Sequence, residues 1–420
     1  MRRPTLIAAG LTVAMLAARL FGAAPLSDPT GASLPASLHL HFPLLNTLLA
    51  PLFDTWDGVS MLGMRQLRAF FIWAAVAIVL WRWIRQRRWS VRAVLAEFAM
   101  TLGSILALLA FGLVGLVWHR PMVSLAGVPA GWMVVDLHTH TNVSHDVHGT
   151  LMRGFDAEAA RRWHARAGYD AFFITDHNRI DGIPAGGGPP DARPFLCPGE
   201  EVSAADQHVV LLGNTALVDN RAYGDSLPGI LRLFHDADPR FGAVAIASIP
   251  EYDVHHFQDL GRFADAGVRG FEIVNGAPKA NELTLAHRDS VVELAKARNL
   301  VLLGVSDSHG WGATAEGWTL VRVHREQTLG RSGAPAVSGF PATCAAILAA
   351  LRSGYDATQV VARHRLRPDA WWPRWLTPVA VIWEGWRAVG LAQAAGWLFW
   401  IWSIAFLVPG RPLTSPAGRP

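Results

Sequence analysis

The chain changes twice between long uninterrupted apolar runs and a pattern of short apolar runs separated by polar segments. Residues 98–118 form 21 positions without a charged side chain, and residues 388–408 form a second run of the same length. A helix of that length is about 31 Å long, which matches the hydrocarbon core of a bilayer. Both runs are therefore predicted to span a membrane.

Two further apolar runs lie near the amino terminus. Residues 69–84 are predicted to form a span in which the long side chain of Arg82 reaches toward the headgroups. Residues 4–24 follow two arginines and fit either a first span or a signal peptide, and both alternatives place residue 25 outside. We therefore predict a membrane region over residues 1–131 with about three helices, and a carboxy-terminal region over residues 366–420 with one.

Charge and tryptophan follow the same division. Residues 1–131 carry 11 arginines against 4 acidic residues, whereas residues 132–365 carry 21 basic against 27 acidic residues. Fourteen of the 18 tryptophans lie outside residues 132–365, as expected of an interfacial belt. An acidic middle segment repels the phosphates of nucleic acid, so nucleic acid is not expected as a partner. The basic ends lie beside the long apolar runs, and a membrane is their expected partner.

Arginine in the short loops predicts the orientation. Five arginines between positions 82 and 92 crowd the link between the second and third spans, which places this link in the cytoplasm. Four arginines between positions 363 and 374 favour the opposite orientation, but long translocated domains largely escape this rule. We expect an integral protein of the inner or plasma membrane with its middle domain on the extracytoplasmic side.

Residues 132–365 alternate short apolar runs with polar stretches of helix length. Strands are expected at 133–137, 171–175, 209–212, 243–249, 271–274 and 301–305, with helices at 156–167 and 281–298 between them. This alternation is typical of an α/β fold with parallel strands, which can close into a barrel. The two cysteines are too few for a disulfide framework or a cysteine-based zinc site. Any metal must therefore be held by histidine and carboxylate.

Candidate metal ligands follow several of these predicted strands. His138 and His140 are two residues apart at a strand end, a spacing that turns both imidazoles to one side. Alone, such a pair is more often two surface histidines than a site. Other residues of the same chemistry stand at four further strand edges: Asp146, His177, Glu201, His208, Asp307 and His309. Their repetition predicts a site for more than one metal.

The motifs DLHTHT, AGYDAFFITDHN, PGEEVS, HVVLLG and GVSDSHG resemble those of the PHP superfamily, named for polymerase and histidinol phosphatase. The resemblance covers roughly residues 133–310. It implies a distorted (β/α)7 barrel, here flanked by transmembrane helices, with two to three divalent ions such as manganese, zinc or iron. It also implies hydrolysis of a phosphomonoester or phosphodiester by a metal-activated water.

By this resemblance the ligands fall into three sets. His138, His140, Glu201 and Asp307 resemble the first metal's ligands, and Glu201 bridges to a second metal that His208 also binds. Asp146, His177 and His309 resemble the third set. Glu200 competes with Glu201, and His145 competes with Asp146; we favour Glu201 and Asp146.

The chain departs from the family pattern in one place, since Ile249 precedes Pro250 where the family usually has a histidine. Isoleucine cannot bind a metal, so the second metal is weakly held or absent, or His255 or His256 supplies the ligand. We favour weak or absent binding. Asp176 is a candidate to orient a ligand, and Arg179 is a candidate to hold a phosphate, with a surface arginine as the equal alternative.

The sequence therefore predicts a membrane-anchored, metal-dependent phosphoesterase acting on a phosphorylated small molecule or a lipid-linked substrate. Two alternatives remain: a catalytically degenerate binding or sensor module, suggested by Ile249, and a metal-dependent amide or ester hydrolase. The glycine- and proline-rich residues 181–194 are expected to form a loop near the site, and residues 330–341 an exposed linker.

Overall fold

The computed structural model describes residues 3–86, 90–185, 188–189, 192–312, 314–323 and 340–408. The α-helices are α1 Arg3–Leu20, α2 Leu44–Leu48, α3 Ala50–Ser60, α4 Met64–Arg85, α5 Val91–Val117, α6 His145–His148, α7 Ala157–Ala167, α8 Leu227–Phe241, α9 Glu251–Val254, α10 Leu260–Ala266, α11 Leu285–Ala297, α12 Ala342–Ser353, α13 Thr377–Ala388 and α14 Leu391–Leu407. The strands are β1 Leu26–Ser27, β2 His39–His41, β3 Ser124–Ala126, β4 Trp132–Asp136, β5 Ala171–Ile174, β6 Phe195–Ala204, β7 Gln207–Leu212, β8 Val244–Ala247, β9 Gly270–Asn275, β10 Val301–Val305, β11 Gly317–Arg322 and β12 Thr358–Arg363.

Ten of these strands form one mixed sheet in the order β1-β12-β11-β4-β5-β6-β7-β8-β9-β10, and β2 and β3 pair separately. The six predicted apolar runs all lie in strands of this sheet, and the two predicted helices correspond to α7 and α11. Alternation along the strands explains the core: Ala171 and Phe173 of β5 face one apolar cluster, whereas Phe172 and Ile174 face another. The prediction of an α/β fold is therefore confirmed.

The sheet curls until its last strand returns toward β11 and β12. Thr319 of β11 donates a hydrogen bond to the carbonyl of Gly304 in β10 (2.8 Å) and accepts one from its amide (2.9 Å). Thr358 likewise binds the carbonyl of Leu302 through its hydroxyl (3.0 Å). The inside of the curl is filled by alternate residues of β4, β5, β6, β7, β8, β10 and β11, together with α12.

The strands are not all parallel, in contrast to the expectation from the sequence. β4, β5 and β6 pair in parallel, as do β8, β9 and β10, but β7 is antiparallel to both β6 and β8. The antiparallel pairing of β6 with β7 is caused by a two-residue turn at Ala205 and Asp206, whose φ angles are +46° and +57°. Positive φ at both central residues is typical of a tight hairpin, which only antiparallel strands can use.

Cys197 of β6 and Cys344 of α12 form a disulfide bond, and both side chains are fully buried. The count of two cysteines excluded a framework of several disulfides, and no local pattern predicted that these two residues would pair. The bond fastens α12 to the strand that carries Glu201 four positions further on.

Three of the described helices are long and apolar enough to cross a membrane: α1, α4 and α5. They agree with the three spans predicted within residues 1–131. The fourth predicted span appears as α14, a shorter apolar helix of 17 residues. Arg82 pairs with Glu97 of α5 through its Nε atom at 2.6 Å, and its reach toward the headgroups stays a prediction.

The membrane region and the curled sheet share buried contacts. β1 pairs antiparallel with β12, so residues upstream of α4 complete the sheet edge. Asp57 of α3 accepts hydrogen bonds from Arg120 (2.9 Å) and from Arg363 of β12 (3.1 Å), and all three side chains are largely buried. Within the two predicted loops, residues 186–187, 190–191 and 330–339 lie outside the described residues.

Candidate metal centre

The predicted ligands meet where several strands of the curled sheet end. His138 and His140 follow β4, His177 follows β5, and Asp307 and His309 follow β10. Isolated bridges join Thr139 to Ser308 and His177 to Glu201, which hold these strand ends side by side. The carboxyl ends of neighbouring parallel strands meet at one edge of a sheet, so residues far apart in sequence converge there.

The innermost group consists of His138, His140, Glu201 and Asp307. The two Nε2 atoms of the histidines are 3.1 Å apart. Oε2 of Glu201 lies 3.1 Å from His138 Nε2 and 3.2 Å from His140 Nε2. Oδ1 of Asp307 lies 3.6 Å and 3.1 Å from the same two nitrogens. The Nε2 atoms of both histidines thus face the same two carboxylate oxygens, and all four residues are at most 9% exposed.

A second group surrounds Asp146 at the start of α6. Its Oδ2 atom lies 2.6 Å from Nε2 of His309 and 3.2 Å from Nε2 of His177. The ring of His140 stacks on the ring of His177 with centroids 4.7 Å apart. One ligand atom from each of these four residues lies within 4.8 Å of the others. His140 therefore belongs to both groups.

A third group forms on the other side of Glu201. Its Oε2 atom lies 3.1 Å from Nδ1 of His177, and its Oε1 atom lies 3.1 Å from Nδ1 of His208. His208 stands near the start of β7, opposite Ser203 across the hairpin. Glu201 is thus the residue that connects the first group with the third.

The donor atoms fit divalent cations. Ligands held about 2.1 Å from a tetrahedral metal lie about 3.4 Å from one another, and the distances within the first group range from 3.1 to 3.6 Å. Four of the buried donor atoms have no hydrogen-bond partner among the described residues: His140 Nδ1, His177 Nδ1, Glu201 Oε2 and Asp307 Oδ1. Buried polar atoms are nearly always partnered, so these four atoms fit the binding of a cation.

The backbone at Asp307 supports the same interpretation. Its φ angle of +44° lies in the left-handed region, which residues other than glycine rarely adopt. Such a conformation persists only where the surroundings enforce it. Here it turns the carboxylate toward His138 and His140.

The pKa values follow from close pairing in a buried space. Burial lowers the pKa of an imidazole, but Asp307 and Glu201 outweigh it and raise the pKa of His140 to about 10. Glu201 similarly raises the pKa of His208 to about 9. The neighbouring histidines hold the pKa of Glu201 well below its ordinary value despite its burial. Without a cation the cluster therefore carries protons, which a bound cation would displace.

Glu272 of β9 is a residue that sequence reasoning missed. Its Oε1 atom accepts a hydrogen bond from Nδ1 of His138 at 2.7 Å, which leaves Nε2 of His138 directed at the first group. The other oxygen accepts from Asn275 (2.8 Å) and from the amide of Ile249 (3.1 Å). The only signal in the sequence was a single acidic residue inside an apolar strand.

Asp136 was also missed as a support for the ligands. It ends β4 and accepts a hydrogen bond from the amide of Ser306 at the end of β10 (3.0 Å). Nε2 of the buried His164 on α7 lies 2.8 Å from its other oxygen. Asp136 therefore fixes the two strand ends that carry His138 and Asp307.

Asp176 and Arg179, the two candidate catalytic residues, lie in different environments. Asp176 is fully buried and accepts hydrogen bonds from the amide (2.6 Å) and hydroxyl (2.7 Å) of Thr141, the residue after His140. Arg179 is exposed and pairs with Asp181, with Nε 2.8 Å from the carboxylate. The carboxylate is thus placed to hold the loop behind His140, whereas the guanidinium is held at the surface.

The competing ligand candidates lie elsewhere. Glu200 points away from the centre and accepts hydrogen bonds from Asn214 (2.8 Å) and the amide of Val218 (3.1 Å). The ring of His145 lies tilted beside the ring of His177, with centroids 4.9 Å apart, but His145 belongs to none of the described ligand groups. His255 and His256 are absent from these groups as well, and Nε2 of His256 binds the carbonyl of Ala205 at 2.9 Å.

No protein-family model and no curated protein sequence matches the chain. Solved structures similar to it include PsfC from Pseudomonas syringae, with 20% identity and a TM-score of 0.36 over 60% of this chain and 96% of PsfC. An amidohydrolase from Chromobacterium violaceum, solved with sulfate and no metal, has 17% identity and a TM-score of 0.30 over 42% and 87% of the two chains.

A protein from Bifidobacterium adolescentis, described as a metal-dependent phosphoesterase, has 14% identity and a TM-score of 0.31 over 42% of this chain and 88% of its own. Similarity at this level shows neither a shared family nor a shared reaction. The chemistry of the centre follows from its own residues.

Proposed function

We propose that this protein is a membrane-anchored, metal-dependent phosphoesterase of the PHP type that holds two to three divalent cations. The observation that carries the proposal is the sharing of ligands: His140 belongs to the first and second groups, and Glu201 connects the first and third. Shared ligands bring cations close together, which suits a phosphoryl group with several charged oxygens. Manganese, zinc or iron fits a set of imidazoles and carboxylates.

The chemistry that such cations supply when bound is an activated water near neutral pH and compensation of phosphoryl charge. The chain's own residues provide the positioning. Glu272 fixes the tautomer of His138, and Asp136 holds the ends of β4 and β10 together. Asp176 anchors the loop after His140 through Thr141. In this proposal none of the serines or cysteines acts as a nucleophile.

The proposed location of the centre is the extracytoplasmic side of the inner or plasma membrane. The arginines between α4 and α5 favour a cytoplasmic link, and α5 then leads outward. The disulfide between Cys197 and Cys344 supports the same side, because such bonds persist in oxidising compartments. A substrate at the membrane surface, either a phosphorylated small molecule or a lipid-linked phosphate, fits this location.

The test uses the full chain purified in detergent, with metal content measured by elemental analysis. Nitrophenyl phosphomonoester, phosphodiester, carboxylic ester and anilide substrates are then compared side by side after addition of manganese or zinc. We expect at least two metals per chain and turnover of a phosphoester that is lost in Asp307→Ala. Turnover of the anilide or carboxylic ester alone would replace this proposal with the amide or ester hydrolase. Bound metal without any turnover would favour the binding or sensor module.

A further inference from the structure

The position where Ile249 replaces the expected histidine has a different function in this chain. The Ile249 side chain is 2% exposed and packs in the apolar core beside Tyr252 and Phe271. Its backbone amide donates a hydrogen bond to Glu272 at 3.1 Å. Ile249 therefore supports the residue that orients His138, and its side chain is directed into the core rather than toward the third ligand group.

Glu251 comes two residues later and lies beside His208, one member of that group. It is the first residue of α9, and its side chain is 17% exposed. One carboxylate oxygen lies 3.6 Å from Nδ1 of His208, the atom that also faces Glu201. The other oxygen is buried and has no hydrogen-bond partner within the described part of the chain. A buried carboxylate oxygen without a donor is costly unless a cation or a water completes it.

The third ligand group needs such an addition. His177, Glu201 and His208 offer three ligand atoms, whereas divalent cations in proteins take four or more. Two other polar residues of this segment are already engaged: His256 binds the carbonyl of Ala205, and Asp253 accepts from Nδ1 of His287 at 2.6 Å. His255 is exposed and belongs to none of the described ligand groups. Glu251 is the residue whose carboxylate lies beside His208 through one oxygen and keeps its other oxygen without a partner among the described residues.

We infer that Glu251 is a ligand of the cation held by Glu201 and His208, so that a carboxylate replaces the missing imidazole. This inference rests on the proposed function, since it concerns the same centre. It also reverses the expectation of a weak or absent second metal. An additional carboxylate makes the donor set harder, which favours manganese or iron(II) over zinc relative to a site with imidazole in that place.

The experiment measures metal binding directly rather than activity. The full chain in detergent is stripped with a chelator and titrated with Mn²⁺, with free Mn²⁺ followed by electron paramagnetic resonance and bound metal by elemental analysis. The variants are Glu251→Gln, which keeps the shape of the side chain, and Glu251→Ala. Asp253→Asn on the same short helix is the matched control for loss of one negative charge, because its amide oxygen still accepts from His287.

We expect both Glu251 variants to lose one equivalent of Mn²⁺, or to bind it at least about tenfold more weakly. The same result is expected of His208→Ala. Asp253→Asn should bind as the original chain does. Thermal unfolding followed by circular dichroism verifies that each variant is folded. If Glu251→Ala does not fold, the isosteric Glu251→Gln variant alone provides the test. Unchanged stoichiometry and affinity in a folded Glu251→Gln protein would overturn the inference while leaving the proposed function intact. A chain that binds no metal at all would overturn both.

Discussion

The Nδ1 atom of His138 lies 2.7 Å from a carboxylate oxygen of Glu272, which is 134 positions further along the chain. His138 follows β4 and Glu272 stands on β9, two strands that are not neighbours in the sheet, so the contact exists only because the sheet curls. A buried carboxylate on the far nitrogen of a metal-binding histidine fixes its tautomer and increases its basicity. Glu272 is thus the support on which the innermost ligand group depends.

Glu272→Gln is expected to lower the affinity of the centre for Mn²⁺ or Zn²⁺ by about 10- to 100-fold, because a neutral amide polarises His138 less than a carboxylate does. Titration of the stripped full chain provides the measurement. Glu282→Gln, which removes a carboxylate that pairs with Arg65 at the protein surface, is the control. An affinity equal to that of the original chain would show that the pair serves packing alone.

The stability of the chelated protein should depend on pH. His140 and His208 have folded-state pKa values raised to about 10 and about 9 against an ordinary value near 6.5. The two protonated histidines therefore contribute to the free energy of unfolding. This contribution is complete below their ordinary pKa and is lost as the pH rises through 9 and 10. The lowered pKa values of Glu201 and Asp307 give a contribution that is lost when the pH falls below about 4.

Thermal unfolding between pH 5 and pH 10, with and without a chelator, tests this dependence. The chelated protein should become less stable from neutral to alkaline pH, whereas the metal-loaded protein should resist this change because metal binding requires deprotonated histidines. His208→Ala should reduce the slope in the chelated protein. Parallel curves for the two forms would contradict the assignment of these histidines as ligands.

Removal of the disulfide is expected to destabilise the fold. It joins residues 147 positions apart and fastens α12 to β6. A Cys197→Ala/Cys344→Ala double variant should lose roughly 2–5 kcal/mol of unfolding free energy. Denaturant unfolding of the double variant and of the reduced original chain should give similar midpoints. A double variant as stable as the oxidised chain would show that packing around α12 suffices.

The side of the membrane can be read from the same two cysteines. Acid quenching of cells, alkylation of free thiols, reduction and mass-tagging count the cysteines that were oxidised in the cell. We expect two tags per chain, because an extracytoplasmic domain is exposed to oxidising conditions. Two free thiols in living cells would place the domain in the cytoplasm.

The buried ion triad predicts how the membrane region is coupled to the sheet. Asp57 of α3 pairs with both Arg120 and Arg363, and these charges lower its pKa despite burial. Asp57→Asn leaves two buried guanidinium groups without a counter-charge and should cost roughly 3–5 kcal/mol. The thermal midpoint in detergent is the measurement, with Asp28→Asn at β1 as a comparison outside the triad. A midpoint equal to that of the original chain would mean that water already screens these charges.

Local pattern was sufficient for several features. Uninterrupted apolar runs predicted α1, α4 and α5, and alternating apolar segments predicted six strands and two helices of the curled sheet. These predictions succeeded because long apolar helices and the strands of a sheet core are both indicated by the apolar pattern of consecutive residues. The ligand candidates were visible for a similar reason, since each follows or occupies a strand with its own short motif.

Other features were invisible in the sequence because they depend on the meeting of distant segments. Glu272 and Glu251 stand in none of the quoted motifs, and Asp136 begins DLHTHT without any local sign of its supporting role. The roles of all three arise from which strand end or helix start lies opposite which histidine. The hairpin at Ala205 and Asp206 lacks the glycine or asparagine that usually indicates such a turn. The pairing of Cys197 with Cys344 follows from the position of α12 against β6.

The sequence by itself thus determined the helices long and apolar enough to cross a membrane, the α/β class and the residues able to bind metal, because each depends on residue type and short-range spacing. Only the tertiary structure decided which of those residues share a cation-sized space and which carboxylates support them. The reason is physical: hydrogen bonds and ligand contacts act over about 3 Å, and only the curl of the sheet brings residues 134 to 170 positions apart within that distance.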